Sequence, residues 1–116
     1  MTHANPFLAA LALAAAPALA QTADPATLED RLVGNTFQGD MGGGGYASYF
    51  APGGTYHDEA GTGRYEITSE GVCYPETEYG CYQATIADDT LTWSQDGEDM
   101  GSGRILEGDA LGFASE

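Results

Sequence analysis

The sequence predicts a mainly β domain, a small antiparallel meander or barrel-like sheet with one short N-terminal helix. Three observations predict it. From Asn35 onward, short alternating apolar and polar runs recur between Gly, Pro, Asn and Asp turn signals, the mark of consecutive hairpins. Seventeen glycines suit tight turns and barrel bends. Helical spacing occurs once beyond the first segment, and a lone short amphipathic helix must pack on something.

Residues 1–20 are expected to lie outside the fold. Phe7 to Ala20 is an uncharged apolar run ending in Ala18-Leu19-Ala20, which reads as a secretory signal peptide cut after Ala20. The run is short for a membrane span, and the stretch before it lacks Lys and Arg. Residues 21–34 form a tail and the helix. Asp24 or Thr22 can cap it, and Pro25 suits its first turn. Leu28, Leu32 and Val33 make its apolar face, and Gly34 ends it.

Residues 35–116 form the β domain. Strands are predicted at Thr36–Gly39, Tyr46–Phe50, Thr55–Asp58, Arg64–Thr68, Val72–Tyr74, Cys81–Ile86, Thr90–Ser94 and Gly103–Glu107. Gly42–Gly45, Pro52-Gly53-Gly54, Ser69-Glu70-Gly71, Asp88-Asp89 and Asp96-Gly97 supply turns. Alternation assigns Phe37, Phe50, Tyr65, Ile67, Tyr82, Ile86, Leu91, Trp93 and Leu106 to the interior. Leu28 and Leu32 would plug one end or cover one face. A buried Tyr needs a partner for its hydroxyl, so several of the seven tyrosines are expected at the barrel rim.

Cys73 and Cys81 enclose a seven-residue loop. In a small exported domain, two Cys are most simply a disulfide. The alternatives are a metal pair or a reactive thiol. A metal site would need further ligands, and His57 is the one spare His beyond residue 20. The net charge of −15 comes from 18 acids against three Arg, with no Lys. It excludes nucleic acid and anionic membrane surfaces. It would steer a basic protein, but acidic turns also serve solubility and blunt β-sheet aggregation.

Leu32-Val33-Gly34-Asn35-Thr36, Tyr49-Phe50-Ala51-Pro52-Gly53-Gly54-Thr55, Gly63-Arg64-Tyr65-Glu66-Ile67, Val72-Cys73 and Gly80-Cys81-Tyr82 form a pattern. It resembles small exported proteins of proteobacteria, with a GNT start, YF-x-P-x-GT, G-x-Y and a paired Cys ending in CY. Those proteins have no assigned activity. The resemblance implies export and a β fold and carries over no catalytic residue. Gly42–Gly45 departs from it.

Asp58–Arg64 echoes Glu98–Arg104 at an offset of 40. The simpler reading is a shared hairpin solution. The sharper one is a pseudo-repeat that makes Arg64 and Arg104 an anion- or partner-binding feature.

No catalytic constellation emerges from the residues. His57 neighbours Asp58 and Glu59, but adjacent strand residues face opposite ways, and no Ser has a nucleophile-elbow context. Gly42–Gly45 lacks the Lys and helix of a phosphate loop. The acidic turns lack EF-hand spacing. The expected role is therefore a non-enzymatic binding or interaction module in the periplasm or outside the cell. It needs no metal or cofactor, and its contact residues would be Arg64, Arg104, Tyr56, Tyr74 and Tyr79. Tyr46 is a further exposed aromatic candidate. The alternatives are an inhibitor of a basic secreted hydrolase such as lysozyme, and a small hydrolase using His57.

Overall fold

The computed structural model describes residues 21–114. The signal-peptide expectation falls on residues outside that range. Ten strands and one helix follow in order: β1 Gln21–Thr22, α1 Pro25–Leu32, β2 Thr36–Asp40, β3 Gly45–Ala51, β4 Thr55–Asp58, β5 Gly61–Arg64, β6 Glu66–Thr68, β7 Gly71–Tyr74, β8 Gly80–Ala87, β9 Thr90–Gln95 and β10 Glu98–Leu106. Nine strands run antiparallel in the order β5-β4-β3-β2-β10-β9-β8-β7-β6, a nearly closed barrel-like sheet. Its two end strands, β5 and β6, are consecutive in the chain, with Tyr65 between them. The Tyr65 amide donates to the Gly54 carbonyl at 2.9 Å. Among the described residues no helix is long and apolar enough to cross a membrane.

Local chemistry explains the hairpins. Asp96 and Gly97 have φ of 54° and 82°. Positive φ at both central residues is what a two-residue type I′ hairpin loop requires, and it matches the twist of the flanking strands. The Asp24 carboxylate accepts from the Thr27 amide at 2.9 Å and caps α1, so Asp24 rather than Thr22 is the cap. That bond holds the Asp24 carboxyl below its ordinary pKa. Gly34 turns the chain at φ 84°, and its amide donates to the Phe50 carbonyl at 2.7 Å.

The helix seals one end of the barrel. Leu28 and Leu32 are fully buried, and α1 packs on β6 and β7. Arg31 donates to the Asp88 carbonyl at 2.9 Å and to the Asp89 carboxylate at 3.1 Å, tying α1 to the β8–β9 turn. The Tyr65 hydroxyl donates to the Ala51 carbonyl at 2.8 Å.

The core is Leu28, Leu32, Phe37, Phe50, Tyr65, Val72, Ala84, Leu91, Trp93 and Ile105. Of the residues expected inside, Ile67, Tyr82 and Ile86 are partly buried against it. Ile105, not Leu106, points in. Ile105 pairs with Phe37 and shares its face, while Leu106 pairs with Thr36. The Thr36 hydroxyl faces the C-terminal segment and donates to the Gly108 carbonyl at 2.7 Å. The residues expected to form a tail at 21–24 instead supply β1, which pairs with β8.

Candidate functional site

In an antiparallel barrel every second loop falls at the same end. The loops β2–β3, β4–β5, β7–β8 and β9–β10 therefore share the end opposite α1. Four strands and one loop bring tyrosines there. Tyr46 comes from the start of β3, Tyr56 from β4, Tyr74 from the end of β7, and Tyr82 from β8. Tyr79 comes from the β7–β8 loop. Together with Met41 and Asp58 they surround a cavity of about 180 Å³, floored by Phe37, Phe50 and Trp93. Phe37, Phe50 and Trp93 are essentially buried, while Tyr79 is 58% exposed at the rim.

The rings stand as walls, not as a stack. Tyr74 meets Tyr56 at 5.3 Å and 87°, Tyr79 at 6.1 Å and 87°, and Tyr82 at 6.1 Å and 76°. Tyr82 meets Trp93 at 6.4 Å and 77°, and Trp93 meets Phe37 at 5.6 Å and 72°. Such edge-to-face pairs are favoured by the ring quadrupole and add about 0.5–1.5 kcal/mol each beyond area burial. Gly63 makes room for one wall: a Cβ there would lie 2.6 Å from the Tyr56 ring.

Asp58 is the one carboxylate lining the cavity among the described residues. It is fixed from two sides. One oxygen accepts from the Ala60 and Gly61 amides at 2.9 and 3.1 Å, and the other accepts from the Tyr46 hydroxyl at 2.9 Å. The inward Ser48 hydroxyl is buried without a hydrogen-bonding partner. Ser48 near the Tyr46 phenol favours the phenolate only slightly, against the larger effects of burial and of the bond to Asp58.

The Cys73–Cys81 disulfide forms across a register pair of β7 and β8 and closes the loop that carries Tyr79. Glu70 lies beside both sulfurs, but sulfurs bonded to each other are not thiolate ligands for a metal. Gln95 donates to the Tyr79 and Cys81 carbonyls at 2.7 and 3.2 Å, which pins the same loop to β9.

The phenols are held neutral. Burial, then the bond to Asp58, pushes Tyr46 up. Burial, then the Asp58 charge, pushes Tyr56 up. Burial, then its tyrosine neighbours and Asp58, pushes Tyr74 well above 10. At the sealed end, burial and then Glu29 push Tyr65 up to about 12. A raised folded pKa stabilises the fold fully below the unfolded value near 10, and that contribution is lost as pH rises through the folded value. The protein is thus expected to lose stability above about pH 10. A spectrophotometric titration at 295 nm should show only part of the seven tyrosines ionising before the fold opens. All seven titrating freely near pH 10 would contradict the burial of these phenols.

The structure brings together three of the expected contact residues, Tyr56, Tyr74 and Tyr79. It does not bring Arg64 and Arg104 to them. Both are exposed and lie towards the sealed end, on β5 and β10. Three strands intervene, which is roughly 19 Å along the sheet. The echoed stretches also differ locally. Asp58–Arg64 crosses the β4–β5 turn, whereas Glu98–Arg104 lies within β10 and contains a bulge between Asp99 and Gly101. His57 lies on β4 between the cavity-lining Tyr56 and Asp58, and its ring is 5.9 Å from that of Tyr49. It is not among the cavity-lining residues.

The charge is distributed unevenly in kind. The mouth end carries Asp40, Asp58 and Glu59, then Glu76 and Glu78, then Asp96, Glu98 and Asp99. No Arg is at that end. Arg31 sits in α1 and pairs with Asp89.

Fold and site together define a small, nearly closed barrel-like antiparallel sheet, covered at one end by a helix and lined with aromatics at the other. No protein-family model matches the chain, and no curated protein or solved structure matches it.

Proposed function

We propose that the protein is a non-enzymatic binding module of the periplasm or the extracellular space, with the aromatic mouth as its ligand seat. The carrying observation is the convergence of Tyr46, Tyr56, Tyr74, Tyr79, Tyr82 and Trp93 around one cavity that Asp58 also lines. Concave, mostly apolar sites with a few placed polar groups are the usual form of ligand pockets. Two of these tyrosines, Tyr46 and Tyr79, keep exposed rings at the rim, and fold stability alone does not call for apolar surface left to water there. The disulfide fits an oxidising compartment, as does the signal-peptide pattern of residues 1–20. The resemblance to small exported proteobacterial proteins points the same way. His57, outside the cavity lining, favours binding over hydrolysis.

Trp93 is the single Trp of the chain and floors the cavity, so its fluorescence reports occupancy. Monosaccharides, single-ring aromatics and alkylammonium salts form a suitable panel. At least one should give a saturable change in wild type that Tyr74→Ala reduces. A panel without any saturable change, or changes indifferent to Tyr74→Ala in a folded variant, would overturn the reading.

A further inference from the structure

The geometry points to a small alkylated ammonium cation as the ligand class of this mouth. The inference rests on the mouth being a ligand seat and adds its chemistry.

Size comes first. Pockets for drug-sized ligands run from roughly 300 to 1,000 Å³, and this one is about 180 Å³. It suits a single compact head group, not a disaccharide or a fused ring system. The lining comes second. Aromatic faces carry negative potential and attract a cation within about 6 Å of the ring centre. Tyr74 stands nearly perpendicular to Tyr56, Tyr79 and Tyr82, so ring planes meet at steep angles around one volume, as the walls of a cage. The Tyr46 hydroxyl is already committed to Asp58, and the rest of the lining is mainly ring surface, which suits a cation without strong hydrogen-bonding demands.

Electrostatics comes third. Asp58 lines the cavity and is held in place by the Ala60 and Gly61 amides and the Tyr46 hydroxyl. The surrounding rim loops are acidic and hold no Arg. An anion would meet that field unfavourably, and a cation would be concentrated by it. A small ammonium with N–H groups loses strong hydration on entering an apolar cage. An alkylated ammonium is weakly hydrated and keeps its charge, so its desolvation is the smaller obstacle.

The test titrates Trp93 fluorescence with choline and with 3,3-dimethylbutan-1-ol, its neutral isostere. Choline should saturate and the alcohol should bind at least about 10-fold more weakly. Asp58→Asn keeps the oxygen that accepts from Ala60 and Gly61, and should weaken choline about 10-fold while leaving the alcohol unchanged. Should that variant fold poorly, Tyr79→Leu keeps apolar area at an exposed position but removes a ring face. It should also weaken choline selectively. Raising salt from 0.05 to 0.5 M, roughly a threefold cut in screening length, should weaken choline only. A parallel arm with an Nα-acetyl trimethyllysine amide separates a free solute from a side chain of a protein. Tighter binding of that peptide assigns the cation to a polypeptide, and tighter binding of choline assigns it to a free solute.

Equal binding of choline and the alcohol would overturn the cation inference and leave the seat intact. No response to choline or any other alkylammonium salt, with a Tyr74-dependent response to a monosaccharide or a neutral single-ring aromatic, would also overturn the inference alone. Silence across the whole panel, or responses indifferent to Tyr74→Ala in a folded variant, removes the seat itself.

Discussion

Phe37→Ala is expected to cost about 3–5 kcal/mol of stability. Phe37 is fully buried, pairs with Ile105 and Ser48 on the strands either side of β2, and meets Trp93 edge to face at 5.6 Å. Truncation removes the transfer energy of the ring and leaves a cavity under the mouth that flanking strands cannot collapse to fill. Domains of this size hold only about 5–15 kcal/mol in total. In urea, with slopes of about 1–3 kcal/mol/M, the midpoint should fall by at least ~1 M. Tyr79→Ala is the control. Its side chain is 58% exposed, and its loss should cost no more than about 1.5 kcal/mol, the worth of its edge-to-face contact with Tyr74. A loss under 1 kcal/mol for Phe37→Ala would mean that Phe37 does not floor the barrel as described.

The second large effect belongs to the disulfide. Removing it with Cys73→Ala and Cys81→Ala together is expected to cost about 2.5 kcal/mol, through the regained freedom of a short unfolded loop. For a domain of this length the thermal midpoint should drop by about 10–20 °C. The double variant should also bind mouth ligands more weakly than its stability loss alone implies. Tyr74 and Tyr79 both lie in the bridged segment, and hydrogen bonds from Gln95 and through Thr77 would then restrain it without the covalent link. Differential scanning calorimetry of the double variant and of wild type treated with reductant checks this. An unchanged midpoint in both would contradict it.

The hairpins and the bridge were legible from residues 35–97 because their signals are local. Asp96-Gly97 demands positive φ, and Cys73 and Cys81 fall opposite each other once the loop between β7 and β8 turns. The helix was legible for the same reason: Asp24, Pro25, Leu28, Leu32 and Gly34 mark its cap, start, buried face and stop. Parity in β10 was not. The bulge between Asp99 and Gly101 shifts the strand by one residue, and the adjacent apolar pair Ile105-Leu106 offers no alternation to correct it. The break at Tyr65, inside the expected strand Arg64–Thr68, and the pairing of Gly61–Gly63 as β5 depend on contacts with β4 and on the Tyr65 amide bond to Gly54, which spacing within the segment does not reveal.

The site was half legible for the same physical reason. Tyr56, Tyr74 and Tyr79 stand out as tyrosines in turn-rich segments. That they share a mouth with Tyr46, Tyr82 and Trp93 depends on which loops fall at one end, and this follows from closure and not from spacing. Arg64 and Arg104 drew notice as rare cations in an acidic chain. Their informative property is where they are not. All three Arg lie away from the mouth, so the rim around Asp58 has no basic side chain to offset it.

The most direct test of the mouth as the ligand seat is NMR mapping. Tetramethylammonium chloride would be titrated into isotopically labelled protein, with sodium chloride as the ionic-strength control. The expected result is saturable shifts of the Trp93 indole N–H and of the Tyr46, Tyr56, Tyr74, Tyr79 and Tyr82 ring signals, with α1 and the outer face around Arg64 and Arg104 unmoved. Saturable shifts at Arg64, Arg104 or α1 with the mouth rings silent would contradict it.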